Sequence, residues 1–177
     1  MSREVKVGSA TRDAGSAVAV KEINRHPKFV QNSKPEYDIA ILRLKDDVKF
    51  TDSIKAIGLA STSPAVGTKG RVSGWGRKDD GVDSTTLRDV YVPVISNKDC
   101  QKYVDAEGIT ISNRTFCALE TGKGPCQGDS GGPFAVDGKL AGIVSGGNEC
   151  GDAKSPSQYT DIANKDIRDW IRGVNGF

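Results

Sequence analysis

The stretch Gln127-Gly128-Asp129-Ser130-Gly131-Gly132-Pro133-Phe134 is the part of this chain best equipped for chemistry. It reads as a nucleophilic serine in a glycine-framed turn. A lone hydroxyl is a weak nucleophile near neutral pH and needs a base to take its proton and donors to hold an oxyanion. Glycines beside the serine let backbone N–H groups approach a reacting carbonyl with no Cβ in the way. The base is harder to find. The sequence holds one histidine, His26, within Asn24-Arg25-His26-Pro27-Lys28-Phe29, and no motif places a lysine as a substitute.

Four cysteines form the second chemical set: Cys100, Cys117, Cys126 and Cys150. None of the spacings is C-x-x-C, which argues against zinc and thioredoxin-like chemistry, and no metal or cofactor is expected. An even, widely spaced set suits two disulfides and an oxidising compartment, with three connectivities open. Asn113-Arg114-Thr115 is a glycosylation sequon, meaningful only on a secretory route. The N-terminal Met1-Ser2-Arg3-Glu4-Val5-Lys6-Val7 shows no apolar signal-peptide core. Net charge is +2 over 177 residues, with 27% charged and 36% hydrophobic residues, the balance of a soluble globular chain rather than a nucleic-acid binder. No apolar run approaches the roughly 20 residues needed to span a bilayer, so neither nucleic acid nor membrane is an expected partner.

Positioning such residues takes short strands. Val18–Val20, Ile39–Leu42, Val90–Val92 and Leu140–Val144 read as strands, and the 21 glycines and seven prolines fall largely between or at the ends of such runs. The pattern predicts an all-β barrel or sandwich. Two stretches read as helical: 97–103, with Ser96 as N-cap, and 161–172, where Ile167 and Ile171 lie four apart. Ser61-Thr62-Ser63-Pro64 reads as a linker, and 78–83 as an exposed loop.

Gly-Asp-Ser-Gly-Gly-Pro at 128–133 resembles the nucleophile motif of the trypsin/chymotrypsin-like serine endopeptidases. Tyr37-Asp38-Ile39-Ala40-Ile41-Leu42 is similar to that family's aspartate motif, and Val72-Ser73-Gly74-Trp75-Gly76 to the strand opening its second barrel. Asp99-Cys100 with Thr115–Ala118, and the run from Ile143 through Cys150 to Tyr159–Ile162, complete the resemblance in the family's order. The implied fold is a chymotrypsin-like double antiparallel β-barrel with its first barrel incomplete and a C-terminal α-helix. Residues 1–177 would be a peptidase-domain fragment: 1–60 the remainder of the first barrel, 61–160 the second barrel, 161–172 the helix. Strands such as Ile39–Leu44 would then carry uncovered edges and apolar faces.

Residue by residue, the resemblance implies Ser130 as nucleophile, Asp38 as the aspartate that orients the imidazole, and the N–H groups of Gly128 and Ser130 as oxyanion hole. It implies disulfides Cys100–Cys117 and Cys126–Cys150. Gly124 falls at the floor of the specificity pocket, where trypsin-like members carry an aspartate. Ser145, Gly146 and Gly147 form the wall and Ser157 a second floor position. An uncharged pocket favours large apolar or aromatic side chains by burial, with Glu149 and Asp152 at the rim. The family's catalytic histidine belongs to a Thr-Ala-Ala-His-Cys-like segment, which this sequence lacks, and His26 reads as an exposed or locally bonded residue. The chain is therefore expected to lack the first-barrel part that carries the histidine and the maturation N-terminus. Asp129 would then be without its ammonium partner and the oxyanion hole unformed. Two readings follow. One is a secreted serine endopeptidase acting through an acyl-enzyme on protein or peptide substrates, with a protein inhibitor as a further partner, this chain being inactive as it stands. The other is a non-catalytic homologue that binds proteins through the old cleft.

Overall fold

The computed structural model describes residues 3–30, 36–105, 108–147 and 149–175, the last without its side chain. Met1 and Ser2, which figure in the reading of the N-terminus, lie outside the described residues.

Three strands open the chain: β1 (Glu4–Val7), β2 (Ser16–Arg25) and β3 (Ala40–Leu44). They form one antiparallel sheet in the order β1-β2-β3. Their side chains are half-buried or exposed throughout, so the sheet has no enclosed core of its own. Leu42, at 46% exposure, faces solvent.

The short β4 (Gly58–Leu59) leads into β5 (Lys69–Gly74), β6 (Arg88–Ile95), β7 (Thr115–Ala118), β8 (Pro133–Val136), β9 (Lys139–Gly146) and β10 (Ser157–Asp161). The sheet order is β10-β7-β6-β5-β8-β9-β4. Pairing of β10 with β9 closes the first six of these into a barrel, with β4 added in parallel on β9. Closure removes the unpaired edges that an open sheet exposes. The barrel core packs Val72, Val92, Val94, Phe116, Phe134 and Tyr159. Phe134 stands edge-on to Phe116 at 5.1 Å and to Tyr159 at 4.7 Å between ring centroids, the tilted geometry that ring quadrupoles favour.

Helix α1 (Asn97–Val104) starts as its sequence predicts: the Ser96 hydroxyl accepts the Asp99 N–H at 3.0 Å. It buries Cys100, which bonds to Cys117 on β7. Helix α2 (Lys165–Asn175) begins four residues later than the 161–172 pattern suggests. Asp161 is still in β10, and its carboxylate accepts the Ala163 N–H at 2.9 Å, so the chain turns before it coils. The Ser63 hydroxyl of the linker also donates to that carboxylate. Ile167 and Ile171 face one side of α2 and pack with Ile162, Ile39 and Tyr37 in a second apolar cluster. Burial of this kind contributes about 1.5–3 kcal/mol per large side chain and clamps the helix onto the entry to β3.

Candidate active site

Asp38 lies between Tyr37 and β3 and reaches the barrel through two hydrogen bonds. Its carboxylate accepts the Ser145 hydroxyl at 2.8 Å, and its carbonyl accepts the Thr160 hydroxyl at 2.8 Å. The backbone is aimed by Tyr37, a non-glycine residue at φ 58°. That left-handed conformation costs about 1–2 kcal/mol for an L-residue. The Tyr37 ring offsets it by packing: it stacks on His26 at 4.5 Å, and the Arg114 guanidinium sits 4.5 Å above it. Arg114 is in turn paired with Asp166 of α2 at 2.8 Å.

Ser130 is exposed in a turn pinned to the same part of β9. The Gly131 N–H donates to the Val144 carbonyl at 2.8 Å, and the Val144 N–H donates to the Gly132 carbonyl at 2.9 Å. The serine turn and the Asp38 carboxylate thus converge on the adjacent residues Val144 and Ser145 of β9. Within the turn, the Asp129 and Gly132 amides are engaged by the Cys126 and Asp129 carbonyls at 2.9 Å each. Among the described residues no hydrogen-bond acceptor engages the amides of Gly128 or Ser130.

Asp129 holds the turn from beneath. Its carboxylate accepts the Gly76 N–H at 2.8 Å and the Cys126 N–H at 2.9 Å. The approach is possible because residue 76 has no side chain: a Cβ there would lie 2.5 Å from the Asp129 Cγ. The carboxylate expected to be without an ammonium partner is therefore satisfied by two backbone donors. Nothing in the local sequence announces this, since Gly76 and Asp129 are 53 residues apart.

A cavity of about 160 Å³ opens beside Ser130, lined by Ser145, Gly146, Gly147, Glu149 and Ser157 among others. Gly124, expected at the floor, is not in that lining and borders a different cavity together with Asp129, although a Cβ on Gly124 would lie 3.4 Å from the Ser157 hydroxyl. Ser157 is buried, and Glu149, the one acidic residue in the lining, is exposed. Asp152 lines a neighbouring cavity that Glu149 also borders. Both disulfides close, Cys100–Cys117 with Cα atoms 6.2 Å apart and Cys126–Cys150 with 5.0 Å, the second joining the serine loop to the far wall of the cavity.

His26 is placed elsewhere. It is buried at 6% exposure, its ring lies against Tyr37 and Trp170, and its Nδ1 accepts the Lys28 N–H at 3.2 Å. Burial pushes the imidazole below its usual range, and the Lys28 charge acts in the same direction. It is a packed link between the entry to β3 and α2, and none of its contacts is with Asp38 or Ser130. Among the described residues no group of three or more His, Cys, Asp or Glu side chains is arranged to hold a metal ion. No helix among them is long and apolar enough to cross a membrane.

A six-stranded barrel, a second sheet and a C-terminal helix around a glycine-framed serine define a chymotrypsin-like serine protease fold. The structure superposes on that of neuropsin, a serine protease of mouse brain, with a TM-score of 0.82 and 31% identity, covering 90% of this chain and 72% of that one. The Trypsin family profile matches residues 2–171, and the chain belongs to that family. It is 40% identical to trypsin 5G1 of Aedes aegypti over 98% of its own length, and 38% identical to trypsin alpha of Drosophila melanogaster over 95%. It spans 66% of the length of each of these relatives.

Proposed function

We propose that this chain carries the nucleophile, aspartate and specificity-pocket parts of a secreted serine endopeptidase, and that by itself it binds peptide without cleaving it. The observation that carries the reading is the convergence of Ser130 and Asp38 on Val144-Ser145, beside a cavity that fits a side chain. In the acyl-enzyme reaction the Ser130 hydroxyl attacks a peptide carbonyl, a neutral imidazole takes its proton, and Asp38 stabilises the resulting cation. The Gly128 and Ser130 amides, engaged by no acceptor among the described residues, are the donors suited to the oxyanion.

The imidazole is not supplied from within, because the one histidine of the chain is locked against Tyr37 and Trp170. Loss of the triad histidine costs on the order of a millionfold in turnover in a comparable subtilisin site. The two disulfides suit an oxidising, extracellular setting. That same buried histidine favours the second reading in one respect: the isolated chain functions as a binding module.

Fluorophosphonate labelling tests both parts. The 177-residue chain is expected to leave Ser130 unlabelled. A chimera carrying the histidine-bearing segment of a trypsin relative ahead of this chain is expected to label at Ser130 and hydrolyse peptide esters, and Ser130→Ala to abolish both. A folded chimera with an inert Ser130 overturns the catalytic assignment. Rapid labelling of the chain alone overturns its inactivity.

A further inference from the structure

Asn113-Arg114-Thr115 is the only N-x-[ST] triplet in the sequence, and the peptidase reading gives it no role. We propose that Asn113 is a site of N-linked glycosylation, installed on the nascent chain before strand β7 docks. The proposal rests on the secretory route given above.

Asn113 is exposed and lies in the turn that precedes β7. Its backbone carbonyl, not its side-chain amide, accepts the Asn164 Nδ2 hydrogen bond at 2.9 Å. The rest of the triplet is immobilised. The Arg114 N–H donates to the Ser112 hydroxyl at 3.1 Å, and the Arg114 carbonyl accepts the Asp161 N–H at 2.8 Å. The Arg114 side chain is held by Asp166. Thr115 is 4% exposed, and its N–H donates to the Ser112 carbonyl at 3.3 Å. A transferase that reads the hydroxyl two residues beyond the asparagine cannot reach it in this state. The finished fold displays the acceptor and hides the recognition element, so transfer must precede folding of this segment. Cys117, two residues beyond Thr115, pairs with Cys100, so closure of that disulfide competes with modification.

In the transfer step the Asn113 side-chain nitrogen attacks the anomeric carbon of a lipid-linked oligosaccharide pyrophosphate. The C–N bond forms as the C–O bond to pyrophosphate breaks, the lipid pyrophosphate leaves with the electron pair, and the amide proton is lost to a base. The glycan then stands near Asp161 and Asn164, whereas the pocket is lined by Ser157 at the other end of β10. At about 3.3 Å per residue those ends are roughly 13 Å apart, so the attachment point lies outside the peptide-binding cavity.

The test is translation of the full chain behind a cleavable secretory leader in the presence of microsomes, so that entry into the lumen does not depend on the natural route. Translocated, protease-protected chain is expected to gain one oligosaccharide that peptide:N-glycosidase removes, and Asn113→Gln to be translocated without the gain. Protected wild-type chain with no gain in mass overturns the proposal, whereas chain that fails to enter natural secretory vesicles but is modified in microsomes overturns only the secretory reading. For the order of events, purified transferase should modify the reduced, unfolded chain and spare the oxidised, folded chain. Equal modification of the two would overturn the claim that docking of β7 closes the site.

Discussion

Asp129→Asn isolates the strut beneath the serine turn. The substitution keeps the shape of the side chain and removes its charge. The carboxylate accepts two backbone N–H groups, from Gly76 at 2.8 Å and Cys126 at 2.9 Å. An asparagine offers one oxygen, so one of these donors must face an NH2 group instead. A hydrogen bond to a charged group is worth about 1.5–3 kcal/mol, and a buried donor left unsatisfied costs about 1–3 kcal/mol. The carboxylate occupies the space a side chain at Gly74 would need, since a Cβ there would lie 1.9 Å from Oδ1. The expected loss is therefore about 3–5 kcal/mol, which for a chain of this length lowers Tm by roughly 6–20 °C. Urea and thermal unfolding followed by circular dichroism, with both disulfides intact, read this directly. Asp13→Asn is the control: that side chain is 84% exposed and should change stability by less than about 0.5 kcal/mol. A loss below about 1 kcal/mol at position 129 would show that the two amides find other acceptors and that the carboxylate does not hold the turn.

Because burial and Lys28 lower the His26 pKa in the folded state, the unfolded chain binds the proton more readily, and stability is expected to fall as pH drops below about 6.5. Urea midpoints between pH 7.5 and 5 should show this slope in the wild type and lose that part of it in His26→Phe; parallel curves would refute it. Removing the Cys100–Cys117 bridge by double serine substitution should cost about 3 kcal/mol in the same urea assay, and an unchanged midpoint would mean that α1 and β7 hold together without it. In a chimera with a restored histidine, matched peptides ending in Phe or Leu should be cleaved in preference to Arg or Lys. A cation entering the cavity beside Ser157 meets no buried carboxylate, because Glu149, the one acidic residue of that lining, is exposed, and burial of an unpaired cation costs several kcal/mol. A preference for Arg or Lys that Glu149→Gln abolishes would refute the uncharged-pocket argument and assign the pocket charge to Glu149.

Features governed by a few neighbouring residues were legible in the sequence. The octapeptide around Ser130 specifies a glycine turn through its own backbone freedom. The Ser96 cap depends only on Asp99, three residues on. Ile167 and Ile171 mark the buried face of α2 by spacing alone, although the helix start did not follow from periodicity, because pairing of β10 keeps Asp161 extended. The resemblance to a known family named Asp38 and the cysteine pairs, where composition left three connectivities open. What joins these pieces was decided by the closure of the barrel. Asp38 meets Ser145 across 107 residues, and Asp129 meets Gly76 across 53. Gly124 comes near Ser157 only once the Cys126 loop is tied to Cys150. Of the two expectations for His26, exposed or locally bonded, the second holds, through the Lys28 N–H, and the ring is buried because α2 brings Trp170 against it. A local pattern sets what a segment prefers, and strand register and helix docking decide which distant side chain it meets. That is why the glycine turn around Ser130 could be read from the sequence, while the partners of the Asp38 and Asp129 carboxylates could be read only from the fold.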